Sequence, residues 1–227
     1  MNLVICGDSF MSADTGRPNT HFSELLITYG HSVVNLARGG MSNIGIAFQL
    51  ETAAHLKPDM IIFSSTGPDR VDIVVKNRKF NSRLGLKNFI YPYKSDLSTT
   101  NQYVGDLNAP ILSDVIPAFL SPRPDLPIEL RDPNRIESIK QYLSLYHDNN
   151  FKKITDDWII GYWKYKLIEK HIPFIHLYSG SKLGQLMYKY VIHNPDKISQ
   201  CVYHTDEQTQ ILMAVELNNE LERFTQL

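Results

Sequence analysis

An α/β fold built on a parallel sheet is the architecture this chain predicts, and three observations predict it. The short apolar runs Leu3-Val4-Ile5-Cys6 and Met60-Ile61-Ile62-Phe63 lack alternation, as strands buried on both faces do. Segments with helical spacing separate such runs, which is the pattern of βαβ units. Gly7-Asp8-Ser9 follows the first run directly, where a strand gives way to a loop. In open α/β sheets ligands gather at the carboxyl ends of the strands.

The elements follow in order. Leu3–Cys6 reads as strand one, with a polar loop from Ser12 to Asn19. Phe22, Leu25, Leu26 and Tyr29 mark one face of a helix, and Gly30 is placed to end it. Ser32–Leu36 is strand two, followed by the tight loop Arg38-Gly39-Gly40-Met41. Ser42 or Asn43 caps a helix whose apolar side holds Ile44, Ala47, Phe48 and Ala54, and Pro58 stops it before strand three at Met60–Phe63. Periodicity then fails. Residues 76–135 are rich in proline, from Pro110 to Pro133, and carry Phe89, Tyr91, Tyr93 and Tyr103. The expectation is an irregular insertion lying over the sheet's active end as a lid; a surface loop with buried aromatics is the plainer alternative. Ile136 to about Tyr146 is helical. Thr155, Asp156 and Asp157 form a helix start, with Ile159, Trp163 and Leu167 on its core face. Pro173–Leu177 is the fourth strand. Thr205-x-x-Gln208 reads as a capping box opening the last helix, whose apolar side is Ala214, Leu217, Leu221 and Phe224.

Bulk properties narrow the function. The 227 residues fit one α/β domain with an insertion, read as a single unit over 1–227. A net charge of -1 gives no field that would favour nucleic acid or an anionic membrane. With only two cysteines, Cys6 and Cys201, no disulfide framework is expected. No signal-peptide core and no apolar run of membrane-spanning length stand in the sequence, so a cytoplasmic protein is expected.

A serine that attacks an acyl carbon needs a base, donors for the oxyanion and a group that orients the base. Ser9 is the candidate nucleophile. His204 is the candidate base, since it lies on the loop just before the last helix. His176 falls inside a strand, and the other histidines lie at helix ends or in polar stretches. The backbone N–H groups of Ser9 and Gly40 are candidate oxyanion donors; the glycine loop is equally explained as an ordinary strand-to-helix turn.

These residues resemble the SGNH, or GDSL, hydrolases. The resemblance rests on Gly7-Asp8-Ser9, on Asn35-x-Ala37-x-x-Gly40-x-Ser42-Asn43, on Gly67-Pro68-Asp69-Arg70 and on a late histidine before the last helix. It spans the chain apart from the insertion. It implies a flavodoxin-like three-layer α/β/α sandwich and hydrolysis of esters, thioesters or acetylated sugars. It implies Ser9 as nucleophile, Gly40 as oxyanion donor and His204 as base. Two positions depart from the family's pattern. Asp69 stands where the family has an asparagine that donates to the oxyanion, and an ionised carboxylate only accepts. A protonated Asp69, donation by Arg70, or a hole of two donors would each answer this. Cys201 stands where the family has the aspartate that orients the histidine.

The resulting expectation is a serine esterase acting on an O-acetylated sugar or a short acyl ester, with no cofactor, no metal and no nucleic-acid or membrane partner. Asp69 and Cys201 motivate a second reading, a catalytically weak module that binds carbohydrate or protein. A third is a phosphate or nucleotide binder using the Arg38-Gly39-Gly40 loop. Neither a Gly-x-Gly-x-x-Gly nor a Walker-type motif stands behind strand one.

Overall fold

Leu3, Ile5, Met60 and Ile62 pack to one side of a sheet, and Val4, Cys6, Ile61 and Phe63 to the other. Successive side chains of a strand point to opposite faces, so two apolar faces require two covering layers. A computed structural model supplies them. It describes residues 1–13, 19–74, 90–92, 111–115, 133–186 and 205–226.

Strands β1 (Asn2–Cys6), β2 (Ser32–Asn35), β3 (Met60–Ser64) and β7 (Phe174–Leu177) form a parallel sheet in the order β2-β1-β3-β7. Helix α1 (Phe22–Thr28) and the C-terminal helix α5 (Glu207–Thr225) cover one face through Phe22, Leu26, Met213, Ala214, Leu217 and Leu221. Helices α2 (Asn43–His55) and α4 (Asn149–Glu169) cover the other through Ile46, Leu50, Ala53, Ile160 and Leu167. The fold is therefore the α/β arrangement with flanking helices that the sequence predicts. Among the described residues no helix is long and apolar enough to cross a membrane.

The strand order locates a crevice. From β1 the chain runs through α1 to β2 on one side, then through α2 to β3 on the other side of β1. The carboxyl ends of β1 and β3 thus flank a topological switch point, where open α/β sheets bind ligands.

Several expectations change. Part of the stretch expected to be irregular forms strands. β5 (Ile90–Pro92) and β6 (Ile111–Val115) join β4 (Arg70–Val74) in a second sheet of order β4-β6-β5, antiparallel between β4 and β6 and parallel between β5 and β6. Of the rest of the expected lid, residues 133–135 open a helix, and 76–89, 93–110 and 116–132, with Phe89, Tyr93 and Tyr103, lie outside the described residues. Helix α3 (Pro133–Tyr146) starts earlier than Ile136, at a proline whose missing N–H costs nothing in a first turn. Helix α4 starts at Asn149, not Thr155; Asp148 caps it by accepting from the Phe151 N–H at 2.7 Å. Helix α5 is capped by Asp206, which accepts from the Thr209 N–H at 2.7 Å, so the Thr205 capping box does not form. Phe224, expected in the core, is exposed. Ser42 proves to be the cap of α2, and Gly30 adopts a φ of +88° behind α1 as a helix-ending glycine does.

Candidate active site

The backbone behind β1 is shaped before any side chain acts. Gly7 has a φ of +153°, and a Cβ there would lie 2.4 Å from both Met11 Cγ and Ser64 Oγ. Only glycine lets the β1 end pass this close to β3. Gln49 of α2 holds the turn from below: its Oε1 accepts from the Gly7 N–H at 2.6 Å and its Nε2 donates to the Gly7 carbonyl at 3.1 Å. The Met11 N–H donates to the Asp8 carbonyl at 3.1 Å and closes the turn. Ser9, at its crest, is half-buried.

Asp8 is 1% exposed and faces Arg70, itself 9% exposed, with Nη2 to Oδ2 at 3.4 Å. The Phe10 N–H donates to Asp8 Oδ1 at 3.1 Å. The same Arg70 Nη2 donates to Ser9 Oγ at 3.3 Å. A buried carboxylate requires a partner of opposite charge, and this partner also reaches the serine hydroxyl. Asp69, by contrast, is exposed, its carboxylate beside Gly67. Of the two residues considered for the third block, the geometry brings Arg70, and not Asp69, to Ser9.

The β2 loop closes on the same point. A Cβ at Gly39 would lie 3.9 Å from Ser9 Cβ, and Gly40 has a φ of +79°. Asn35 shapes this loop: its Nδ2 donates to the Met11 carbonyl at 2.8 Å, and its Oδ1 accepts from the Ala37 N–H at 2.9 Å. Asn43 ties α2 to the β3 loop, accepting from the Thr66 N–H and donating to the Thr66 carbonyl, both at 2.9 Å. Ser42 caps α2 and donates to Asp72 Oδ1 of β4 at 2.7 Å. The three loops are thereby fixed to one another by side-chain amides and hydroxyls.

His204 and Cys201 lie outside the described residues. Thr205, which follows His204, is buried and accepts from Gln210 Nε2 at 2.6 Å. Gln210 Oε1 accepts from the Phe22 N–H at 2.9 Å. Next to Phe22, His21 Nε2 lies 3.4 Å from the Phe10 carbonyl. A short chain of contacts therefore runs from Phe10, beside Ser9, to Thr205, beside His204.

His21 is a structural histidine. It caps α1, accepting from the Ser23 N–H at Nδ1, while burial pushes its pKa down to about 3. His176 makes a contact that sequence reading did not anticipate: its Nε2 lies 3.0 Å from Ser65 Oγ, just past β3. Its ring stacks on Phe63 with centroids 4.4 Å apart, and burial, aided by the Lys164 charge, lowers its pKa to about 4. The Asp8–Arg70 pair and the Gln210 tie also escaped sequence reading. Their partners lie far apart along the chain and share no motif.

No family model matches this chain, and no curated protein does. Among solved structures it is similar to a protein assigned as a lipolytic member of the G-D-S-L family from Desulfitobacterium hafniense DCB-2. That match has 14% identity and a TM-score of 0.35, and covers 94% of this chain and 95% of the other. It is similar also to a member of the lipolytic G-D-S-L family from Veillonella parvula DSM 2008, again at 14% identity and a TM-score of 0.35, with both chains covered in full. These likenesses are distant.

Proposed function

We propose that the chain is a serine hydrolase of carboxylic esters, acting on an O-acetylated sugar or a short acyl ester through an acyl-enzyme on Ser9. The observation that carries this reading is the tie between Thr205 and the turn at Ser9, through Gln210, Phe22, His21 and Phe10. It links Thr205, the residue after His204 in the sequence, to the end of β1.

In this reading Ser9 Oγ attacks the acyl carbon and its proton passes to the His204 ring. The carbonyl oxygen gains the negative charge. The Ser9 and Gly40 N–H groups and the Arg70 guanidinium donate to it, and Asp69 stays outside the hole. Collapse of the tetrahedral adduct expels the alcohol, which takes the proton from His204. Water, deprotonated by the same ring, then releases the acid and restores the serine. An arginine suits this role because it stays charged and donates from a planar fork.

Hydrolysis of para-nitrophenyl acetate and butyrate tests the proposal. Ser9→Ala should abolish turnover, and His204→Ala should lower kcat by roughly 10⁶. Undiminished turnover by Ser9→Ala would refute it. The competing reading, a binding module without turnover, is favoured by Cys201 at the place of the orienting aspartate. It predicts no turnover by the unmutated protein together with saturable binding of an acetylated oligosaccharide.

A further inference from the structure

Helix α4 carries two apolar faces, and only one is used by the described fold. Ile160 and Leu167 are buried against α2 and the sheet, with Asp156 buried in line with them and Trp163 packed alongside. On the opposite side Phe151, Ile154, Trp158, Tyr165 and Ile168 are 52–75% exposed. Together with Gly161 they fall at intervals of three and four residues, the a and d positions of three consecutive heptads. No described residue covers them.

We propose that this face binds the same face of a second copy, the two α4 helices crossing antiparallel about a two-fold axis between residues 159 and 160. Self-complementarity argues for this occupant. An antiparallel pairing in that register sets Phe151 opposite Ile168 of the second copy and Ile154 opposite its Tyr165. It sets Trp158, the largest side chain, over Gly161 of the second copy, the one position in the stripe with no side chain. A Cβ at Gly161 meets nothing within 4 Å, so the space above it is open. The charges agree as well. Asp157 and Lys164 occupy flanking g positions, which face each other in antiparallel pairs, so each acid meets a base across the axis. A closed two-fold interface uses one patch twice, as this one does.

The area is sufficient. Aromatic side chains bury roughly 150–250 Å² each. Phe151, Trp158, Tyr162 and Tyr165 are 55–75% exposed, and with the two isoleucines they approach the ~800 Å² per partner of a standard interface.

Sedimentation equilibrium of the full chain at micromolar concentration tests the proposal, with far-UV circular dichroism confirming that each variant folds. The unmutated chain should be a dimer. Trp158→Ala should raise the dimer dissociation constant by about 30-fold or more, as loss of a central anchor does. Gly161→Leu should do the same although it makes the face more apolar, because it fills the seat of Trp158. Asp157→Lys should weaken the dimer, and the double exchange Asp157→Lys with Lys164→Asp should restore it. A monomeric unmutated chain would overturn the proposal, whether the face is covered by the chain's own remaining residues or serves a different partner. So would a dimer indifferent to Trp158→Ala and Gly161→Leu.

Discussion

Asp8 and Arg70 are a buried pair whose members depend on each other. Asp8 is 1% exposed, and Arg70 supplies its counter-charge. Arg70→Met leaves the carboxylate uncompensated, and breaking a buried pair this way costs about 3–5 kcal/mol. Urea unfolding should show that loss, and the double variant Asp8→Asn with Arg70→Met should recover much of it. If Arg70 also donates to the oxyanion, the double variant should remain slow, by roughly 10²–10³ in kcat, because losing one donor has that effect. Stability regained together with full activity would make Arg70 purely structural. Gly7 offers a second prediction at this scale. Gly7→Ala should destabilise by more than about 1 kcal/mol, since the new methyl group meets Met11 and Ser64 at a positive φ. Thermal unfolding reads it directly.

At the scale of elements, helix ends carry the consequences. The Phe10 carbonyl only accepts, so His21 Nε2 bears the proton and Nδ1 is the bare acceptor that caps α1. Protonation would destroy the cap. His21 titrates near 3 and His176 near 4 in the folded protein, both below the ordinary histidine value near 6.5. The unfolded chain therefore binds more protons in this window, and stability must fall as pH falls. The loss begins below about 6.5 and continues to about 4, where His176 charges in the fold, and on to about 3 for His21. The slope is up to about 1.4 kcal/mol per pH unit for each group. Stability measured from pH 7 to pH 4 should show this, and His21→Asn, which keeps a capping side chain, should flatten the slope. A pH-independent stability would contradict it. Gln210 joins α5 to α1 at the other end of the same network. Gln210→Leu leaves the Phe22 N–H unpaired, at a cost of about 1–3 kcal/mol. On the reading of Thr205 as the anchor for His204, it should lower kcat more than it raises KM for an acyl ester.

At the scale of the whole molecule, what the sequence shows is what repeats locally. β1 and β3 were readable because a doubly covered strand is apolar at every position, and Gly7-Asp8-Ser9 because it sits at a strand's end. Helix α4 begins six residues before the expected Thr155 for a physical reason. Phe151 and Ile154 are exposed, so the apolar pattern before Thr155 belongs to the uncovered face and does not mark the core. The second sheet leaves no local signal, because β4 pairs with β6 some forty residues on and no local period reports such pairing. The site divides the same way. Ser9 and Gly40 announce themselves by motif, whereas the Arg70 contact joins residues 61 positions apart and exists only once the loops meet. The sheet order makes that meeting useful, since the switch point between β1 and β3 lies where Ser9 stands.

On the proposed function, Ser9 is an activated nucleophile at that crevice. Labelling the native protein with a fluorophosphonate and mapping the adduct by peptide mass spectrometry tests it most directly. One stoichiometric adduct is expected, on Ser9, absent from heat-unfolded protein and from His204→Ala. No adduct, or an adduct on Ser65 beside His176 in its place, would contradict it.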